Sequence, residues 1–439
     1  MAVVLFASYS CVQDTTEDLM PVLPGDGIGG GEVATLQVSI PMPTKTALGE
    51  KVGEVYPLYW CDGDALAVNG KKTSRIELVD PVDGKSSVAK FDLPYGVSIP
   101  YNLVYPYQGE GVAVSAEGDK MPVVFAAEQE YTEGTFANGS APMYGWSDGF
   151  SNVTMKHLAT ALRFGIYAKS GDDVKLKYVS VSTLNAEPIS GEFDVDCKTG
   201  ELTARDSASS VVFYNFPDGE YQLSEGAEAA SIFYIAVPQG EYSRFEVNFV
   251  TTDGSVHKET FDATGGKKLV SGKVREFPIV EFEANSKMFL IGNDADMQTF
   301  ANEVNDRTFY EKYDGALVVA DVDMAGKDWT PIDGFSSTFE GRSNKISGLT
   351  KPLFGKNIVG SISNLSVEAT IVEESEGVVG VVARSLTTDG EKVGTIFNCR
   401  SYGSIVYQNT AITLNSNFDL VNVGGIVGTV NVRRHSYRR

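Results

Sequence analysis

Cysteine, histidine and tryptophan are all scarce in this chain, with four, three and three residues among 439. Cys11, Cys61, Cys197 and Cys399 form no Cys-x-x-Cys pair, so neither a zinc site nor a disulfide framework is indicated. His157, His257 and His435 lie far apart, and none has a second His or Cys at ligand spacing. No Ser-His-Asp or Cys-His grouping is readable, which argues against nucleophilic catalysis. Positive charge is also short. The formal net charge is −22, and a surface that acidic repels nucleic acid and anionic membrane alike. Between Cys11 and Lys45 there is no Lys or Arg, and the first Arg is Arg75. Beyond the first ten residues no apolar run is long enough to span a bilayer. The expectation is therefore a chain with no catalytic set, no metal, no cofactor and no nucleic-acid partner.

What is present begins at the N-terminus. Cys11 follows the apolar run Ala2 to Ala7 and precedes the acidic stretch Gln13 to Asp18. A lipoprotein signal peptidase cleaves before such a cysteine and leaves it acylated. Residues 1–34 are thus expected to be signal and tether, Cys11 the lipidated residue, and everything downstream extracytoplasmic.

From about residue 35 to 283 the text consists of short runs rich in Val, Ile, Tyr, Phe and Thr, separated by Gly, Asp-Gly and Asn-Gly. This is all-β writing. Gly, Ser, Asn and Asp cluster from Gly134 to Asn152, which places a boundary there and predicts two sandwiches, 35–150 and 151–284. The clearest hairpin alternates from Arg244 to Phe249 and turns at Asp253-Gly254. A two-residue turn would pair Thr252 with Ser255 and put His257 on the exposed face of Glu246 and Asn248.

Residues 285–439 read differently. Asn293-Asp294 precede Met297, Phe300, Ala301 and Val304, the i, i+3, i+4, i+7 spacing of a helix over Ala295 to Asn305. Beyond it lie short apolar pieces ending in Gly. Ile362-Ser363-Asn364 rhymes with Ile396-Phe397-Asn398 at an offset of 34. Gly377-Val378-Val379-Gly380 rhymes with Gly425-Ile426-Val427-Gly428 at an offset of 48. Such self-similarity predicts a short right-handed β-helix with the helix capping its first circuit.

Two resemblances follow from these residues. Trp60-Cys61-Asp62-Gly63-Asp64 through Val68-Asn69-Gly70, Tyr105-Pro106-Tyr107, Met155 to Phe164, Ile189 to Phe193 with Thr199 to Leu202, and Phe233 to Pro238 with Ser271 to Val274 resemble, in order, the landmarks of the fimbrillin-like (major fimbrial subunit/Mfa-like) lipoproteins of Bacteroides-type bacteria. Trp329-Thr330-Pro331-Ile332-Asp333-Gly334-Phe335, Thr338 to Gly341 and Lys345 to Leu349 resemble the entry to bacterial surface β-helices with GLUG-type repeats. The first resemblance implies two transthyretin-like β-sandwiches behind a lipid anchor. It further implies an outer-membrane, cell-surface or fimbrial location, and assembly with other fimbrial subunits by β-strand addition after a protease removes the first strand. Without Lys or Arg ahead of Lys45, an accessory, anchor or tip component fits better than a shaft subunit. The alternative is a monomeric surface lipoprotein that binds a glycan; a host or bacterial surface glycan or protein is the partner in either case.

Few residues invite a ligand. Asp321, Asp323, Asp328 and Asp333 suggest calcium, but no Gly-containing calcium loop surrounds them and they equally suit outward strand or turn positions. Trp60 and Trp329 belong to their motifs and are expected in cores. Trp146 and Tyr144, in what reads as the polar loop Tyr144 to Asp148, are the candidate ligand contacts.

Overall fold

In a computed structural model the described residues are 34–40, 59–109, 120–137, 139–149, 152–262, 268–373, 378–389, 392–407 and 422–431. Cys11 and nearly all of segment 1–34 lie outside them, as does His435. The described chain is all-β with a single α-helix. It divides into two compact units, one of Met1–Asp173, Tyr178–Val247 and Thr260–Glu281, the other of Val174–Lys177, Asn248–Glu259 and Phe282–Arg439.

In the first unit a four-stranded sheet runs in the order Val153–Thr154, Thr35–Ser39, Val88–Asp92, Ile76–Leu78. It shares a core with a five-stranded sheet ordered Lys156–His157, Met143–Ser147, Tyr101–Tyr105, Ala67–Val68, Lys71–Lys72. Leu36 and Val38 meet Leu103, Tyr105 and Met143 there, and the ring of Trp60 lies edge-on to Phe91 and Tyr105, both at 5.2 Å. Trp60 is a core residue, as its motif predicts. The rest of that motif closes the turn. Asp64 accepts hydrogen bonds from the Cys61 amide and the Tyr105 hydroxyl, each at 2.8 Å, and Asn69 accepts one from the Asn102 amide at 2.8 Å.

The five-stranded sheet is covered on both faces. Leu103 points into the first core, while its neighbour Val104 joins Ala67 and Tyr144 in a second core with Met121, Val123, Phe125, Phe193 and Val195. A strand buried on both sides has no reason to alternate, and Tyr101 to Tyr105 are all buried. Residues 153–157 add a strand to each sheet, Val38 pairing with Val153 and Met143 with His157. Further along the unit, Ala159–Tyr167 lies between Ser231–Pro238, antiparallel, and Val274–Glu281, parallel.

The second unit is a stack of parallel ladders. Ser286–Ile291, Gly315–Val318, Thr338–Glu340, Ser361–Ser363 and Thr395–Phe397 follow one another in one ladder. A second holds Val322–Asp323, Lys345–Leu349, Ser366–Glu373 and Arg400–Tyr407. On a third side Ile332, Phe354, Ala383 and Val427 are linked by parallel pairing. The column Ala316, Phe339, Ile362, Ile396 shows two circuits of 23 residues followed by one of 34, offsets repeated in the contacts Trp329 to Pro352 and Asn398 to Asn364. The predicted offset of 34 is thus a true register. The offset of 48 is not: Val378 pairs with Asn422 and Ala383 with Val427, four residues short of it, because repeated Gly-Val pairs rhyme without marking the strand start.

The helix α1, Asp294–Asn305, begins where the Asn293 side chain accepts the Asp296 amide at 3.0 Å. Its buried stripe of Met297, Phe300, Ala301 and Val304 enters the ladder core, where the Phe300 ring lies 5.8 Å from Phe335 and 5.4 Å from Phe339. Phe300→Ala is expected to destabilise this unit by about 3–5 kcal/mol, the usual cost of emptying a phenylalanine site, measurable by urea unfolding.

His257 is not exposed. The hairpin strands end at Thr251 and resume at Ser255, so the loop has three residues, with Gly254 at φ 83°. One extra loop residue shifts the register by one and turns every side chain over. His257 is therefore 6% exposed and its ring lies 6.0 Å from Phe249. Its Nδ1 sits 3.0 Å from the Glu283 amide nitrogen, tying the hairpin to the segment before Ser286. A Cβ at Gly254 would stand 2.3 Å from the Met288 carbonyl. Gly254→Ala should accordingly cost more than about 1 kcal/mol, read as a lowered thermal midpoint.

Candidate functional site

Tyr144 and Trp146 occupy a strand, Met143–Ser147, rather than a polar loop. Tyr144 is 6% exposed. Its hydroxyl donates to the Thr199 carbonyl at 3.2 Å, and Gly200, at φ 79°, leaves room for it: a Cβ there would be 2.2 Å from the hydroxyl oxygen. Burial, with Cys197 and Asp196 nearby, holds the phenol above its ordinary pKa. Trp146 is half-buried against the second core, with Lys198 Nζ 5.1 Å over its ring and its Nε1 buried without a hydrogen-bond partner among the described residues. The structure brings the two aromatics together on one face, where Tyr144 is packing and Trp146 carries a lysine on its accessible side.

The four aspartates are scattered along the stack and each has a structural contact. Asp321 accepts the Lys345 amide at 2.8 Å, and Asp333 that of Lys356 at 2.6 Å. Asp323 accepts the Ala325 amide at 2.9 Å, while Asp328 pairs with Lys351 at 3.3 Å. Among the described residues no three His, Cys, Asp or Glu stand together as a metal site. Trp329 is core, as its motif predicts: 1% exposed, its Nε1 donating to the Pro352 carbonyl at 2.9 Å.

Sequence reasoning missed Glu340. Its carboxylate is half-buried in the wall of the stack and accepts from Ser363 Oγ at 2.7 Å, from Asn364 Nδ2 at 3.0 Å to each oxygen, and from the Arg342 amide at 2.8 Å. Asn364 in turn accepts from Asn398 Nδ2 at 2.8 Å. Both asparagines sit at corners with φ 51° and 47°, a conformation asparagine tolerates better than most residues. The signal available was the Ile-x-Asn rhyme itself, whose asparagines are two rungs of this polar ladder.

One accessible surface of the stack is the outward face of the second ladder. Lys345 forms an ion pair with Glu368, which lies in register with Tyr402; Thr370 is beside Ser404 and Val372 beside Val406. Tyr402 is 49% and Val372 51% exposed. The result is a flat face of mixed polar and apolar side chains carried on a rigid backbone grid, suited to contact with a broad surface rather than to enclosing a small molecule.

No family model matches the sequence, and no curated protein matches it. Among solved structures, it is similar to a candidate cell adhesion protein of Bacteroides ovatus, at 13% identity and TM-score 0.33, covering 59% of this chain and 95% of the other. A fimbrial protein of Bacteroides vulgatus is similar at 10% identity and TM-score 0.23, over 56% of this chain and 95% of the other. A fimbrial protein of Bacteroides ovatus matches at 10% identity and TM-score 0.24, over 58% of this chain and 52% of its own length. These likenesses are too remote to carry a function across.

Burial pushes the Glu340 carboxyl above its ordinary pKa against the opposing hydrogen bonds from Ser363, Arg342 and Asn364. A raised folded-state value means that the folded chain holds this proton more tightly. Its contribution to stability is then complete below the unfolded carboxylate range, about 4.3, and is lost as pH rises through the folded value. Glu340→Gln lacks this loss. The thermal midpoint of the Gln variant relative to the parent should climb across that window and then level off; a pH-independent difference would contradict it.

Proposed function

We propose that the chain is a non-enzymatic cell-surface lipoprotein acting in adhesion, as an accessory, anchor or tip component of fimbriae. On this reading Cys11 carries the lipid in the outer membrane, residues 35–150 and 151–284 are transthyretin-like sandwiches, and residues 285–439 form a right-handed β-helix of GLUG type capped by α1. The observation that carries it is the flat outward face of the second ladder, since stacked repeats present extended surfaces of the kind used to bind other macromolecules.

The first described strand supports an anchor or accessory role over a shaft subunit. Thr35–Ser39 lies between two partner strands, and Leu36 and Val38 are completely buried. No Lys or Arg stands between Cys11 and this strand, and the first one beyond it is Lys45, so on this reading the chain is left uncut at Lys45 by a trypsin-like protease. The strand stays in its own subunit, and any β-strand addition to other fimbrial subunits uses a different edge.

Immunogold electron microscopy on unpermeabilised cells, with antibody against residues 35–283, tests the reading. Label along filaments or at their tips is the expected result. Diffuse surface label would favour the monomeric glycan-binding lipoprotein instead, and absence of label without permeabilisation would sink both.

A further inference from the structure

Five aromatic rings meet at one place in the first unit. Tyr214, Phe216 and Phe233 are buried there, and Tyr131 and Tyr221 lie half-buried over them. The Tyr131 ring is 6.4 Å from Tyr214, 5.9 Å from Phe216 and 6.0 Å from Phe233. Tyr221 stacks on Phe216 at 5.0 Å and lies 5.3 Å from Phe233. The ring centroids of the two half-buried tyrosines are 5.0 Å apart at 58°, and their hydroxyls are hydrogen-bonded to each other.

Backbone pairing and ring packing hold these two side chains in place. Tyr131 follows the strand Glu128–Glu130, which pairs parallel with Val211–Asn215, and its own amide donates to the Asn215 carbonyl at 2.7 Å. Tyr221 is held by its stack on Phe216. Burial, the bond to Tyr221 and the charge of Glu133 keep the Tyr131 phenol above its ordinary pKa. It is therefore the neutral phenol that meets an oxidant, and it gives up its proton together with an electron.

We infer that Tyr131 and Tyr221 are a site of oxidative cross-linking, joined carbon to carbon by a one-electron oxidant of the haem-peroxidase class working on hydrogen peroxide. Each phenol loses an electron and its hydroxyl proton to the oxidant and becomes a tyrosyl radical. The two radicals couple at the ring carbons ortho to their oxygens, and each of those carbons then passes its proton to the oxygen as the ring becomes aromatic again. In sum, two tyrosines and one hydrogen peroxide give one dityrosine and two waters. Coupling needs the second ring close and held in place, which the packing of the cluster supplies at high effective concentration. Tyr131 and Tyr221 are 90 residues apart in the chain, so the bond closes a long loop and restricts the unfolded chain as a disulfide does. Cys61, Cys197 and Cys399 are free thiols, and the tyrosine pair provides the covalent staple that they do not. This inference stands independently of the adhesion reading.

Treatment of the folded full chain with hydrogen peroxide and a haem peroxidase, followed by digestion and mass spectrometry, tests it. The expected product is a single chain two hydrogens lighter than the parent, fluorescent as dityrosine, with the peptide containing Tyr131 joined to the one containing Tyr221. Its thermal midpoint should lie above that of the untreated chain. Tyr131→Phe and Tyr221→Phe keep the ring and lose only the hydroxyl, and each should abolish the fluorescence, with circular dichroism confirming the fold. Tyr310→Phe, at a residue 39% exposed, should leave it unchanged. Dityrosine that joins other tyrosines or two copies of the chain overturns the inference, as does fluorescence undiminished in either of the first two variants. Oxidation confined to accessible single residues such as Tyr95, 99% exposed, with no cross-link formed, overturns it too. Mapping the link in the parent decides the question even where a variant fails to fold.

Discussion

A strand satisfies its backbone N–H and C=O groups only through its neighbours, and a chain whose described residues hold one α-helix must solve that requirement there almost entirely by strand pairing. The first unit solves it by layering. Its five-stranded sheet is packed on both faces, Leu103 to one core and Val104 to the other. The second unit solves it by repetition, each circuit of chain laying a strand on the one before. The unpaired edge is thereby moved along the stack rather than removed, and α1 covers the core near its start with Phe300 and its neighbours.

Parallel pairing alone does not fix where one circuit sits on the next, since a strand of three to five residues can slip. Polar side chains supply the missing register. Asp321 reaches the Lys345 amide, Asp333 that of Lys356, Trp329 the Pro352 carbonyl and Glu340 the Ser363 hydroxyl, steps of 23 or 24 residues. Each such bond is worth about 1 kcal/mol net, and a slip by one residue would break them together. Residues that resemble metal ligands in the sequence are therefore register pins. The Asp321 and Asp333 carboxylates are directed at backbone amides of the following circuit, Asp328 at the Lys351 side chain and Asp323 at the Ala325 amide of its own turn, rather than at a common point.

What was legible in the sequence had local signals. The helix showed its apolar stripe and Asn293 cap; Trp60 and Trp329 sat in recognisable motifs; the Ile-x-Asn rhyme marked Ile362 over Ile396. The 23-residue circuit was not legible, because Ala316, Phe339 and Ile362 fill one column with different side chains and only their partners across the stack reveal the spacing. Tyr144 and Trp146 read as loop for a related reason: their strand is covered on both faces and carries Gly145, so neither alternation nor composition betrays it. His257 turned on one residue of loop length, the smallest difference that reverses a strand's faces.

Charge decides which of these surfaces can serve as contacts. A net charge of −22 makes approach of another acidic surface unfavourable at every patch that carries its share of it, and this selects against indiscriminate association. The outward face of the second ladder's last two strands carries little of that charge, because Lys345 offsets Glu368, Arg400 is cationic, and the other exposed positions there include Thr370, Val372, Tyr402, Ser404 and Val406. Recognition there must come from shape, hydrogen bonds and apolar contact rather than from electrostatic attraction. Such a face is set by the backbone grid and needs no moving part, so the pins that hold the circuits in register are also what hold the binding surface flat. Loss of a pin such as Glu340 or Asn364 would therefore reach the surface through the register of the strands, without touching any residue on it.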